Sequence, residues 1–500
     1  MAAVFASILR TTRRAVALAR PSVRDRLPIV VFTRAGATIN LKLLIAGAAG
    51  RRFRSSGAIG QCALHANDYA ESQDSTRLQS GLLPLVAEFT AAWDFNNSRE
   101  IGPVLRRSYF IYNVLFKRSE AVRELFEREL QARPADVEFA GLSFERYFNL
   151  VFAIYALVQA SLKNWTSIVD VTPLARDLRF SPQELRSFAQ HSVRVAGSWD
   201  LEFGRSSAID RFAQSINDLS WCFDRRQLRS RPLLKLADGR LLVTDQQLLV
   251  ENVSTGLRWH LLKALPSSAH GAFSTLWGKL FEEYVQLLIE HYLPSTSMRS
   301  VQFARGELDA IAYTEDGGIV VFEVKAGFLA DTAKLSRDER LMIASLRKRY
   351  LQNEKRKPKG VAQLARAVAA LHGGAVPGVA KPRYVQPVLV VEDPSMQSLA
   401  VNAILDEEYR QLLPANTATP LTVLTIDELD VILRSLAVND LVWDDVFRSH
   451  TVNNKAAAVS VSAALYELAG ARGLRIPPDT FLRETGEQLT AMLSCLTGAS

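Results

Sequence analysis

From about Gly81 to Gln227 apolar residues recur at three- and four-residue spacing, as in Leu115, Val122, Phe126 and Leu130, which predicts an all-α N-terminal domain over residues 81–230. Ser181-Pro182 followed by Gln183-Glu184 predicts a helix start, with serine as the cap and proline in the first turn. Tyr147–Val158 is apolar throughout but reads as a buried core helix, being well short of the ~20 residues that cross a membrane. The period changes near Pro232. Two short apolar runs flank Asp238-Gly239, a two-residue hairpin signal, so residues 231–265 are read as a bridging hairpin and helix. Phe273 to Tyr292 then carries Phe273, Trp277, Leu280, Phe281, Tyr284 and Leu288 along one broad helical face.

Two strands are expected next, at Glu307–Tyr313 and Ile319–Val324, joined through Glu315-Asp316-Gly317-Gly318. After a charged segment come a helix at Gly360–Leu371, a strand at Tyr384–Val391, a helix at Met396–Tyr409, a strand at Leu421–Ile426 and a helix at Asp427–Leu436. This order gives an α/β domain over residues 266–440, with strands too few and too irregular for a dinucleotide fold, followed by a helical tail at 441–500.

Composition changes the picture in three places. An apolar content of 48% with 22% charged residues excludes a disordered chain. Cys62, Cys222 and Cys495 are too far apart to form a disulfide framework, which points to a reducing compartment. The net charge of +8 suggests a nucleic-acid footprint until it is located along the chain. Residues 1–66 contain ten Arg, one Lys and the single acid Asp25, so the remainder of the chain is nearly neutral. Residues 1–80 are therefore read as a basic, largely unstructured leader. Arg10, Arg13, Arg14 and Arg20 give it a likeness to a mitochondrial transit peptide, but an over-extended start on a bacterial, cytoplasmic protein is the preferred reading. Neither Leu27–Phe32 nor Leu41–Ala49 is long enough to span a bilayer.

Several motifs fail on spacing. Gly271 to Lys279 has six residues between its glycines and Leu280 where a phosphate loop needs Ser or Thr. Cys62 and His65 have no second pair to complete a zinc site.

One constellation survives: Gly306-Glu307-Leu308-Asp309, the glycine-rich turn, then Phe322-Glu323-Val324-Lys325-Ala326-Gly327. Charges planted inside apolar strands cost several kcal/mol unless paired, hydrated or bound to an ion. Alternation puts Glu323 and Lys325 on one face. A two-residue loop would pair Asp309 with Val324, whereas a loop of three or five residues brings it to Glu323 or Lys325. Two carboxylates are hard donors suited to Mg²⁺ or Mn²⁺, and a lysine beside them can orient water or neutralise phosphate charge.

Asp309, the step to Glu323-Val324-Lys325 and the hairpin between them resemble the PD-(D/E)xK restriction-endonuclease-like superfamily. Gly278-Lys279-Leu280-Phe281-Glu282-Glu283-Tyr284 is similar to that family's Gly…Phe-Glu-x-Tyr helix, which assigns Glu282 to the metal site with Glu283 in reserve. Lys359-Gly360-Val361-Ala362-Gln363-Leu364 is similar to its Lys-Gly-x-x-Gln-Leu helix, which places Gln363 beside the lysine and phosphate. Leu308 stands where the family name has proline. The resemblance covers roughly Phe273 to Leu436. It implies a mixed sheet flanked by helices, Mg²⁺ or Mn²⁺ held by Asp309, Glu323 and Glu282, and phosphodiester hydrolysis by a site that adds Lys325 and Gln363.

Between Asp331 and Lys359 ten basic residues meet four acids: Lys334, Arg337, Arg340, Arg347, Lys348, Arg349, Lys355, Arg356, Lys357 and Lys359 are the candidate phosphate contacts. The expected activity is a metal-dependent nuclease in defence or repair, with DNA ahead of RNA as substrate. A nucleic-acid-binding scaffold on the same fold is the other reading. The helical N-terminal domain is a candidate surface for a protein partner. No membrane partner is expected, and the sequence is silent on oligomeric state.

Overall fold

The computed structural model describes residues 101–500 apart from positions 140, 163–167, 173–179, 196–225, 237, 305, 336–338, 353–356, 398, 415–418, 439–440, 452–460 and 498–500. The leader, the Cys62–His65 pair, Cys222, Arg337, Lys355 and Arg356 lie outside the described residues.

The N-terminal region is built on helix α1 (Phe144–Leu162), whose Tyr147, Phe148, Val151, Ile154 and Val158 are all buried. Ser181 caps the Pro182–Ser192 helix as expected, accepting the Glu184 N–H at 3.2 Å while Glu184 accepts the Ser181 N–H at 2.7 Å. The region is not all-helical, however. Ile168–Val169 and Val193–Val195 join Leu233–Lys235 and Leu241–Val243 in a four-stranded sheet. Strands of two and three residues carry no readable alternation, and they form here by pairing with the hairpin. The hairpin turn is also longer than expected: Leu236 N–H reaches Arg240 O at 2.9 Å, and Gly239 takes a φ of +83° inside it. The bridge ends in helix α2 (Thr255–Ala264), and helix α3 (His270–Tyr292) follows.

The α/β domain is a five-stranded mixed sheet covered by helices on both faces. Its strands are β1 (Ser297–Phe303), β2 (Gly306–Tyr313) and β3 (Ile319–Lys325). Helices α4 (Glu339–Tyr350) and α5 (Val361–His372) lead to β4 (Val385–Val391). Helix α6 (Leu399–Gln411), β5 (Thr422–Thr425) and α7 (Ile426–Val438) complete it. The sheet order is β5-β4-β3-β2-β1, antiparallel through β1, β2 and β3 and parallel through β3, β4 and β5. Ala310, Val320, Phe322, Val324, Val388 and Val390 pack toward α3, α7 and the N-terminal helices. Ile311, Ile319, Val321, Leu389 and Val391 pack toward α4, α5 and α6. β3 and β4 are buried on both sides, hence their nearly unbroken apolar sequence.

In this domain β1, α4 and the short helix Asp331–Leu335 were not expected. β1 is an edge strand with only Val301 buried, so its Ser, Arg and Gln residues hide the period of two. α4 lies inside the charged segment, where basic residues mask Met342, Leu346 and Tyr350, three fully buried anchors at helical spacing. After β5 and α7 the tail is helical, through Trp443–Thr451, Val461–Ala471 and Arg483–Thr497. No helix among the described residues is long and apolar enough to cross a membrane.

Candidate active site

The β2–β3 turn is five residues long, Thr314 to Gly318, with Tyr313 opposite Ile319. Thr314 organises it, its hydroxyl donating to Asp316 at 2.6 Å and accepting the Gly318 N–H at 2.7 Å. The register runs from there to Ala310 opposite Phe322 and stops. One step further, Asp309 would face Glu323. The alternation of β2 slips at this point: Leu308 and Ile311, three residues apart, pack in the same layer. Freed from the ladder, the Asp309 carboxylate accepts the Val324 N–H through Oδ2 at 2.6 Å. The hairpin thus brings Asp309 to Glu323 and Lys325 by opening at its end as much as by its loop length.

Glu323 is fully buried, and its Oε2 has no hydrogen-bond partner. Its Oε1 forms an ion pair with Lys325 Nζ. Burial pushes the Glu323 carboxyl up to about 8 against the pull of Lys325, with Asp309 and Glu282 adding to the rise. Asp309 is raised by burial too, opposed by Lys325 and the Val324 N–H. Burial works to depress Lys325, but the charges of Glu323, Asp309 and Glu282 outweigh it and hold the ammonium above its ordinary range.

Glu282 reaches this group from α3. Burial and the Asp309 charge push it up to about 7. Gln286, one turn on, ties it in place by donating to Glu282 Oε1 at 3.3 Å and to the Asp309 carbonyl oxygen at 2.7 Å. Glu283 is exposed on the neighbouring face, so the reserve position stays outside the site. Gln286 was not singled out in the sequence, although its four-residue step from Glu282 is the signal that marks it.

Gln363 does not join the carboxylates by a hydrogen bond. Its Oε1 accepts the Gly360 N–H at 2.8 Å, so the amide serves the start of α5 rather than Lys325. Gly360 itself is required: it has a φ of +44°, and a Cβ there would meet the Tyr350 carbonyl oxygen at 2.9 Å. It also lies against Leu389, the β4 residue registered with Glu323, so the Lys-Gly segment abuts the strand behind the site.

The basic segment divides. Lys334 is buried and donates to Asp393 at 3.0 Å, a structural ion pair rather than an exposed phosphate contact. Arg347 turns outward to Glu408 of α6 at 2.7 Å. Arg349 points the other way and lies against Gly327. Arg340, Lys348 and Lys357 are exposed, and Lys359 is half-buried.

Among the described residues no group of three or more His, Cys, Asp or Glu side chains is spaced to hold a metal. A magnesium site does not need one, since Mg²⁺ keeps several waters and binds through one or two carboxylates plus substrate phosphates. Asp309 and Glu323 fit that donor set: one has an orphaned oxygen, and both are strained toward the proton by burial. Glu282, which the family resemblance assigned to the metal, does not form a three-carboxylate group with them; it is linked to Asp309 through Gln286. Comparison with family models, curated proteins and solved structures finds no match for this chain.

Proposed function

We propose that the chain is a metal-dependent nuclease with a restriction-endonuclease-like core, acting on DNA ahead of RNA. The observation that carries this reading is the convergence of Asp309, Glu323, Lys325 and Glu282 at the open end of the β2–β3 hairpin. Bound Mg²⁺ or Mn²⁺ would supply Lewis-acid activation of the phosphate and of a water. The chain's own residues do the rest. Asp309 and Glu323 would hold the cation, and Gln286 ties Glu282 to the Asp309 backbone next to them. Lys325, kept protonated by three carboxylates, neutralises charge developing on the phosphate and orients the water. Defence or repair in a bacterial cytoplasm is the setting that this chemistry suits.

The second reading is a nucleic-acid-binding protein on the same fold. The ion pair of Lys325 with Glu323 favours it, because that pair already satisfies part of the carboxylate a metal would use. Incubating the purified chain with labelled DNA and RNA in Mg²⁺, Mn²⁺ or EDTA separates the two. Cleavage that needs the metal supports the nuclease; binding with no cleavage under any condition supports the scaffold.

A further inference from the structure

At the carboxyl ends of β3 and β4 the described residues line a half-open cavity of about 810 Å³ between α2, the loop after Lys325, and α4. Six cationic side chains line it against three carboxylates. Two of the cations lie against the backbone next to the candidate active site, one of them hydrogen-bonded to it. Arg258 Nη1 donates to the Ala326 carbonyl oxygen at 2.8 Å, and the Arg349 guanidinium lies so close over Gly327 that a Cβ there has no room. Arg258 is nearly fully buried and has Glu392 at 3.8 Å as a counter-charge. Burial still lowers its pKa, and the charge of Arg349 adds to the effect. No described residue forms an ion pair with Arg349 or with Lys263 at the rim, so the cavity has an excess of positive charge.

The same walls carry an aromatic platform. Trp259 is 43% exposed, and its ring lies 6.2 Å from that of Phe328. The Arg258 guanidinium sits 5.4 Å from the first ring and 5.9 Å from the second. Deeper in, both ring nitrogens of His260 are buried without a partner. Burial pushes this imidazole down to about 3, so it is neutral and offers one donor and one acceptor. Cations, stacking faces and a neutral hydrogen-bonding edge together match a nucleotide's phosphate, base face and base edge. A cavity of this size admits unstacked nucleotides but not a duplex. Exposed Lys263 carries the positive charge out to the rim, where a strand leaving the cavity would pass.

We propose that this cavity receives an unpaired DNA strand next to the carboxylate cluster, its phosphates held by Arg258 and Arg349 and a base stacked on the exposed face of Trp259, whose ring Phe328 supports edge-on. Single strands or frayed ends, rather than uninterrupted duplex, are then the substrate class. The cutting of that strand rests on the nuclease reading; its binding does not.

The test is fluorescence anisotropy in EDTA, which prevents cleavage, with a labelled oligothymidylate and a blunt duplex of equal length. The parent binds the single strand at least about tenfold more tightly than the duplex, and Trp259→Ala and Arg349→Gln each weaken strand binding by about tenfold. Trp259→Phe keeps a stacking face and restores it, which separates stacking from a folding defect. Equal affinity of the parent for strand and duplex, or undiminished strand binding by both variants, overturns the proposal. So does complete displacement of the strand by thymidine monophosphate at equimolar concentration, which assigns the cavity to a free nucleotide. If the parent never cleaves but the variants lose strand binding, the nuclease reading fails and the cavity assignment stands. If the parent cleaves and both variants bind and cut single strands as it does, the reverse holds.

Discussion

Glu282 and Glu283 are adjacent in sequence and opposite in consequence, because a helix turns each successive side chain by about 100°. Glu282 faces the hairpin, where burial and Asp309 hold its carboxyl near neutrality, and Glu283 faces solvent. Glu282→Gln is therefore expected to lower metal-stimulated cleavage by about 10–100-fold, the range for residues that support metal ligands, while Glu283→Gln leaves it unchanged. Initial rates at saturating metal measure both; equal effects would remove Glu282 from the site. Asp309, Glu323 and Lys325 were legible in the sequence because charges inside apolar strands demand an explanation. Gln286 was legible only as a helical neighbour of Glu282, since its second partner is a backbone carbonyl 23 residues away that the tertiary fold alone supplies.

Helix α5 shows how a sequence motif can serve the frame rather than the chemistry. Gln363 closes the first turn on Gly360, whose backbone conformation is barred to other residues by the Tyr350 carbonyl. Gln363→Ala should lower stability by about 1 kcal/mol, the usual cost of a lost cap, and change the cleavage rate by less than about tenfold. Urea unfolding followed by a rate measurement checks the split; a rate loss as large as that of a carboxylate variant would return Gln363 to the chemistry. Helix α4 makes the complementary point, for its length was hidden by charge. Its Arg347 and Arg349 point to different surroundings and Lys348 is exposed, so joint replacement of the three by glutamine should flatten the salt dependence of DNA binding by about one to three units of slope. An unchanged slope would make the run a solvated face. The edge strand β1 and the short strands of the N-terminal region leave no trace in the sequence pattern for a simpler reason: they are ordered by their neighbours and lack a period of their own.

At the scale of the molecule the helical N-terminal region, the sheet and the tail share one buried apolar layer, so the site is framed by segments more than three hundred residues apart. The charged part of that contact is a network around α7. Arg107 pairs with Asp427, Asp430 with Arg434 at 2.9 Å, and Arg106 with Asp479 at 3.4 Å. Burial pushes Asp430 up to about 6 despite Arg434. The folded state thus holds a proton that an unfolded aspartate, with a pKa of about 3.9, releases. Its contribution to stability is full below about pH 4 and is lost as pH rises through about 6. Asp430→Asn should flatten that part of the thermal-stability profile between those values; an identical profile in the variant would assign the dependence elsewhere.

The central claim concerns Asp309 and Glu323 as the pair that holds the cation. Its most direct test is cleavage of labelled single-stranded DNA by the parent, Asp309→Ala and Glu323→Ala in Mg²⁺, alongside binding of the same strand in EDTA. The account predicts cleavage by the parent that EDTA abolishes, a loss of at least about a hundredfold in each variant, and strand binding as tight as the parent's or tighter because a negative charge has been removed. Variants that cut at the parent's rate would contradict it.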